Sequence, residues 1–132
     1  MREVTPEDID DMGHVNSVAF LRYFEDCTRA HAEAVGLTLE AFRAAGAVAI
    51  VREHRVVYHQ QAELGEQLSV STEVLELSGA KALRRNRATR EGELLAECLT
   101  TWVWLGPKSG KPKRVPRAIK KAFGFGKART EG

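Results

Sequence analysis

The hydrophobic pattern of this chain changes period once, and that change limits it to one long helix followed by a sheet. From Phe20 the apolar-stripe positions Phe20, Tyr23, Phe24, Cys27, Ala30, His31 and Ala34 recur every three or four residues, the spacing that lines one face of a helix. Gly36 stands where a left-handed C-terminal cap would fall, and Asn16 or Ser17 can cap the start. Thr38 opens a shorter helical stretch through Leu39, Phe42 and Ala45, closed by Gly46. Beyond it the period drops to two. Val48, Ile50, Val56 and Tyr58 share one face of a run over about residues 47–59, and Leu68, Val70, Thr72 and Val74 do the same after a turn at Gly65. A third run, residues 80–90, follows Ser78-Gly79, and a fourth, residues 94–105, follows Glu91-Gly92-Glu93. The fourth is apolar on nearly both faces and belongs in the middle of a sheet. The third carries Lys81, Arg84, Arg85, Arg87 and Arg90, and by default reads as a solvated edge. The plan is α+β, a helix laid on an antiparallel meander.

A length of 132 residues with 43% hydrophobic content fits one domain, residues 1–132, with enough unburied surface to favour self-association. Residues 106–117 form a basic, Pro- and Gly-rich segment, residues 118–123 a short helix, and residues 124–132 a disordered tail. There is no run of about 18 apolar residues and no charged-then-apolar leader, so a soluble cytoplasmic protein without membrane contact is expected. Cys27 and Cys98 are too few for a disulfide framework and lack zinc spacing; both read as reduced core thiols. Twenty basic residues against 18 acidic ones leave a net charge of +2, too little to argue for nucleic acid. No aromatics interleave with the basic clusters to stack bases.

The chemistry concentrates ahead of the long helix, in Asp8-Ile9-Asp10-Asp11-Met12-Gly13-His14-Val15-Asn16-Ser17. Acidic side chains there face exposed backbone N–H groups and the positive end of the helix dipole, an arrangement able to polarise a carbonyl while a carboxylate attacks it or activates water. On the residues alone, Asp10 reads first as a loop carboxylate capping the helix, and Asp8 and Asp11 as turn formers carrying surface charge. No Ser or Cys stands in a nucleophile elbow, and Gly124-Phe125-Gly126 lacks the context of a nucleotide loop. His31 reads as a satisfied core or interface histidine, and His54 and His59 lie in or beside an alternating strand with no partner evident.

The stretch from Asp8 to Asn16, with the following Leu21-Arg22-Tyr23-Phe24-Glu25-Asp26, resembles the hotdog-fold acyl-CoA thioesterases of the 4-hydroxybenzoyl-CoA thioesterase type. A strand ending in Tyr58, the Gly65-Glu66 turn, a Trp-bearing last strand and Lys113-Arg114-Val115-Pro116 extend the likeness over nearly the whole chain. The chain departs from the usual pattern at Ser17, where a second Asn is common, at Phe20, where a Tyr is common, and at Glu66 in place of Asp. The resemblance implies a hotdog fold, an antiparallel sheet wrapped around the helix, with two or four copies joining their sheets and forming sites between them. It implies hydrolysis of an acyl or aroyl thioester to free acid and coenzyme A without metal or organic cofactor. Asp10 then falls at the catalytic carboxylate, as nucleophile or general base, and the Ser17 N–H at the carbonyl-polarising donor. Gly13, His14, Asn16 and Tyr58 are expected at the substrate, His14 shaping the site and Asn16 capping the helix. Arg84, Arg85, Lys113 and Arg114 are expected at the coenzyme A phosphates. A hotdog hydratase or dehydratase, and a module that binds an acyl thioester or acyl carrier protein without turnover, remain as alternatives.

Overall fold

A computed structural model describes residues 1–124. In chain order the elements are β1 (Arg2–Glu3), a 3-10 turn (Pro6–Asp8), α1 (Ser17–Ala34), α2 (Leu39–Ala45), β2 (Val48–Tyr58), β3 (Gln67–Ser78), β4 (Lys81–Arg90), β5 (Glu93–Leu105) and α3 (Arg117–Ala122). The strands form one antiparallel sheet in the order β1-β3-β4-β5-β2. The α+β plan holds. The tail expected to be disordered lies, from residue 125 on, outside the described residues.

Local chemistry explains the punctuation. Helix α1 ends with the Leu37 N–H on the Ala32 carbonyl and the Gly36 N–H on that of Glu33, a Schellman arrangement that needs the left-handed φ of +86° at Gly36. Between β4 and β5, Glu91 and Gly92 both take positive φ, 50° and 82°, which matches a tight turn to the right-handed twist of its strands.

Two corrections concern which faces are covered. The basic run is not an edge: β4 is the central strand, and Ala82, Arg84, Asn86 and Ala88 alternate inward and are buried. The edges are the two-residue β1 and the eleven-residue β2, nearly all of which is exposed. Along α1 the stripe continues through Thr28 and Ala32, leaving Ala30 and Ala34 exposed, because a straight helix drifts off the simple three-four count.

By its internal contacts the chain divides into two units. The first comprises Met1–Arg29, Arg55–Glu73 and Arg85–Leu99. Its core sets Ala19, Phe20, Tyr23 and Phe24 of α1 on Leu68, Ala88, Leu95, Ala96 and Cys98 of the sheet. Cys98 is buried and Cys27 half-buried, and neither is in a disulfide. The second comprises Ala30–His54, Val74–Arg84 and the chain from Thr100 onward. There Leu37, Leu77, Trp104, Val115 and Ile119 pack together, with Phe42 5.6 Å from the Trp104 ring. The inward phase of β3 slips by one residue between Val74 and Leu77, so its second half feeds this second core.

Candidate active site

The loop ahead of α1 is a small hairpin. Ile9 pairs antiparallel with Val15, the Asp10 N–H donates to the His14 carbonyl at 2.9 Å, and the Asn16 N–H donates to the Asp8 carbonyl at 2.7 Å. Gly13 supplies the reversal with φ +82°, a value that would strain most side chains. The far arm is moored by the Val15 N–H on the Ala62 carbonyl, 2.9 Å.

Inside this hairpin the Asp10 carboxylate folds back on its own turn. Its Oδ1 accepts from the N–H of Met12 at 2.9 Å and of His14 at 3.3 Å. Its Oδ2 has no hydrogen-bond partner among the described residues, and the side chain is exposed. The hairpin runs directly into α1. Asn16 Oδ1 accepts from the Val18 N–H at 2.8 Å, the cap expected of it. The Ser17 N–H, at the first position of the helix, has no acceptor among the described residues. Tyr58, at the end of the β2 edge, donates its hydroxyl to the Ser17 carbonyl at 2.9 Å and lies against Phe20, ring centroids 5.8 Å apart. Partial desolvation of its hydroxyl pushes the Tyr58 titration above its ordinary range although the side chain as a whole is exposed, so it serves as a neutral donor. Asp10, Gly13, His14, Asn16, Ser17 and Tyr58 therefore belong to one neighbourhood around the start of α1.

The cations expected at coenzyme A phosphates have varied surroundings. Arg84 is buried rather than presented: its guanidinium meets His31 Nδ1 at 3.0 Å and lies 5.4 Å from the Phe123 ring centre. Arg85 is paired with Glu73. Lys113 donates to the Gly46 carbonyl at 2.7 Å, closing the end of α2. Arg114 is exposed and without a partner among the described residues.

Asp8 is the residue that pattern reasoning misjudged. It is 4% exposed, not a surface charge. Its carboxylate accepts from the Tyr23 hydroxyl at 2.7 Å, the Arg22 guanidinium at 3.1 Å and the Thr5 N–H at 3.1 Å, while the Thr5 hydroxyl lies between Asp8 and Glu7. These donors outweigh the cost of burial, which is the largest single influence, and hold the carboxyl below its ordinary range. Burial first, and then the bond to Asp8, push the Tyr23 hydroxyl well above its usual value. The available signal was Thr5-Pro6-Glu7-Asp8, a Thr three residues before an acid with Pro at the first turn position.

A family profile described as the thioesterase-like superfamily matches residues 4–123. The chain is similar to the acyl-CoA thioester hydrolase YbgC of Escherichia coli strain CFT073, 25% identical over 118 residues that cover 89% of this chain and 88% of that protein. Among solved structures it is similar to a thioesterase from Thermus thermophilus complexed with coenzyme A and zinc, with 25% identity and a TM-score of 0.79 over 92% of this chain and 87% of that one. It shares the fold of Slr0204, a 1,4-dihydroxy-2-naphthoyl-CoA thioesterase from Synechocystis, with a TM-score of 0.84 at 19% identity over 92% of this chain and 91% of that one. The fold class is the hotdog class that the resemblance implied. With nearly its whole length matched by the profile, the chain belongs to the thioesterase-like superfamily.

Proposed function

We propose that this protein hydrolyses acyl-CoA thioesters to a free acid and coenzyme A, using Asp10 and the Ser17 N–H. The observation that carries the reading is a division of roles around the start of α1. Asp10 Oδ1 is held by two loop N–H groups while Oδ2 is unpartnered among the described residues, and the hairpin that holds it leads into a helix whose first N–H is also unpartnered there. A thioester carbonyl set between them would meet a carboxylate on one side and a fixed donor on the other. Either Oδ2 adds to the carbonyl carbon and the thiolate departs, leaving an anhydride that water cleaves, or the carboxylate takes a proton from an attacking water. In both routes negative charge gathers on the carbonyl oxygen, where the Ser17 N–H and the helix dipole stabilise it.

The likeness to YbgC and to a thioesterase crystallised with coenzyme A supports the substrate class. Gly13 shapes the turn, Asn16 fixes the helix start, and His14 and Tyr58 line the thioester. Of the four cations expected at the coenzyme A phosphates, Arg114 is the one without a partner among the described residues. The eleven-residue β2 edge exposes Val48, Ile50, Val51, Val57 and Tyr58, which supports a homodimer or homotetramer whose copies join along β2.

A thiol-release assay over a panel of acyl-CoAs tests the reading. The parent should hydrolyse at least one of them, and Asp10→Asn should lower kcat by about a hundredfold or more, the usual cost of removing a general base or nucleophile. Parental turnover in Asp10→Asn overturns the mechanism. Tight binding of an acyl-CoA without hydrolysis by the parent replaces the enzyme with a binding module.

A further inference from the structure

The carboxylate of Asp8 is tied to α1 through Tyr23 and Arg22, while its main chain is tied to the residue that caps α1, since the Asp8 carbonyl accepts the Asn16 N–H. Asp8 thus touches the helix at two places. One lies at its start, through Asn16, and the other nearly two turns further along, through Arg22 and Tyr23. Asp10 is two residues away on the same arm of the hairpin and bonds back across it to His14. Any tilt of the hairpin relative to α1 would lengthen the Tyr23 bond, the Arg22 bond or the Asn16 bond. The Tyr23 ring is itself immobilised, 1% exposed, edge-on to Phe20 at 5.9 Å and covered by Arg2 at 4.7 Å.

We propose that Asp8 is a positioning residue that sets Asp10 against the Ser17 N–H, with Tyr23 as the fixed point from which it does so. This rests on the thioesterase reading above. Two rungs, the Gly13 N–H on the Asp10 carbonyl and the two bonds to Asp10 Oδ1 fix Asp10 to its own turn, whereas holding that turn against the helix to within about half an ångström, the tolerance that a catalytic constellation demands, calls for an anchor on α1 itself. A carboxylate buried under three donors fixes both distance and angle, because each donor approaches from a different position: Thr5 from the preceding turn, Arg22 and Tyr23 from successive positions on the helix. Misplacement by about 1 Å can lower turnover by about a hundredfold without loss of substrate binding.

The experiment is a double-mutant cycle in kcat, run well below each variant's melting temperature. Asp8→Asn and Tyr23→Phe should each lower kcat by about tenfold or more, with KM nearly unchanged. Placed in an Asp10→Asn background, the same changes should cost almost nothing further, because a residue that acts through Asp10 has nothing left to position. A merely structural role would instead give the same fractional loss in both backgrounds. Equal losses overturn the proposal, as does parental kcat in both single variants. Tyr23→Phe removes one hydroxyl and keeps the packed ring, so it tests the idea even if Asp8→Asn does not fold. The failures separate cleanly. Parental turnover in Asp10→Asn rejects the thioesterase mechanism, whereas a crippled Asp10→Asn beside a parental Asp8→Asn and Tyr23→Phe rejects only the positioning role.

Discussion

Acid should weaken this protein through His31 before it weakens it through any carboxylate. Arg84 always donates, so the 3.0 Å contact requires His31 Nδ1 to be the acceptor and the ring to be neutral. Protonating that ring would set two positive charges side by side under Phe123, whose ring centre is 5.4 Å from both the imidazole centroid and the guanidinium. Burial first, and then the Arg84 charge, hold the His31 pKa below its ordinary value. As pH falls below about 6.5 the unfolded chain therefore takes up the proton before the folded one does, and stability present above that pH is lost on the way down. Two unit charges about 4 Å apart repel by about 1 kcal/mol in water and about 4 kcal/mol at an effective dielectric constant near 20. His31 is half-buried and both side chains can swing apart, which puts the loss at about 1–2 kcal/mol, or about 3–10 °C in Tm for a chain of this size. Urea denaturation of the parent and of His31→Gln at about pH 7.5 and about pH 5 isolates the effect, since Gln accepts from Arg84 and never charges while other titrations cancel. The parent should lose about 1–2 kcal/mol more than the variant. Equal losses in the two proteins would refute the reasoning.

Two further outcomes follow from where the cations lie. Arg114→Ala should raise KM for an acyl-CoA severalfold with kcat little changed, an effect that shrinks with added salt, whereas Arg84→Ala should leave KM alone and lower Tm; a parental KM for Arg114→Ala would make that residue plain surface. Sedimentation at micromolar concentration should give a dimer or tetramer, and a stable monomer would contradict pairing along β2.

The α+β class was legible because apolar spacing carries it, one long stretch of period near 3.6 and four runs of period two, whereas the hotdog arrangement was implied by the resemblance alone. What spacing does not reveal is which strand sits in the middle. The charges of β4 suggested an edge, yet Ala82, Asn86 and Ala88 form an inward row that fits beneath a closely packed helix, and Arg84 can be buried because His31 and Phe123 receive its head. The helix cap at Asn16 was readable from the loop because it is local, two residues from its hydrogen-bond partner. Asp8 was not, since its burial depends on Arg22 and Tyr23, 14 and 15 residues away, and a carboxylate between polar neighbours looks solvated until the helix folds over it.

The two oxygens of Asp10 are chemically unequal, and that inequality bears on how a covalent route could run. An acyl group transferred to Oδ2 would turn Oδ1 into a carbonyl oxygen, which still accepts from Met12 and His14, though more weakly than a carboxylate does. The turn could stay latched through acylation and deacylation. The bond made and broken would then be on the one atom from which the loop does not hang.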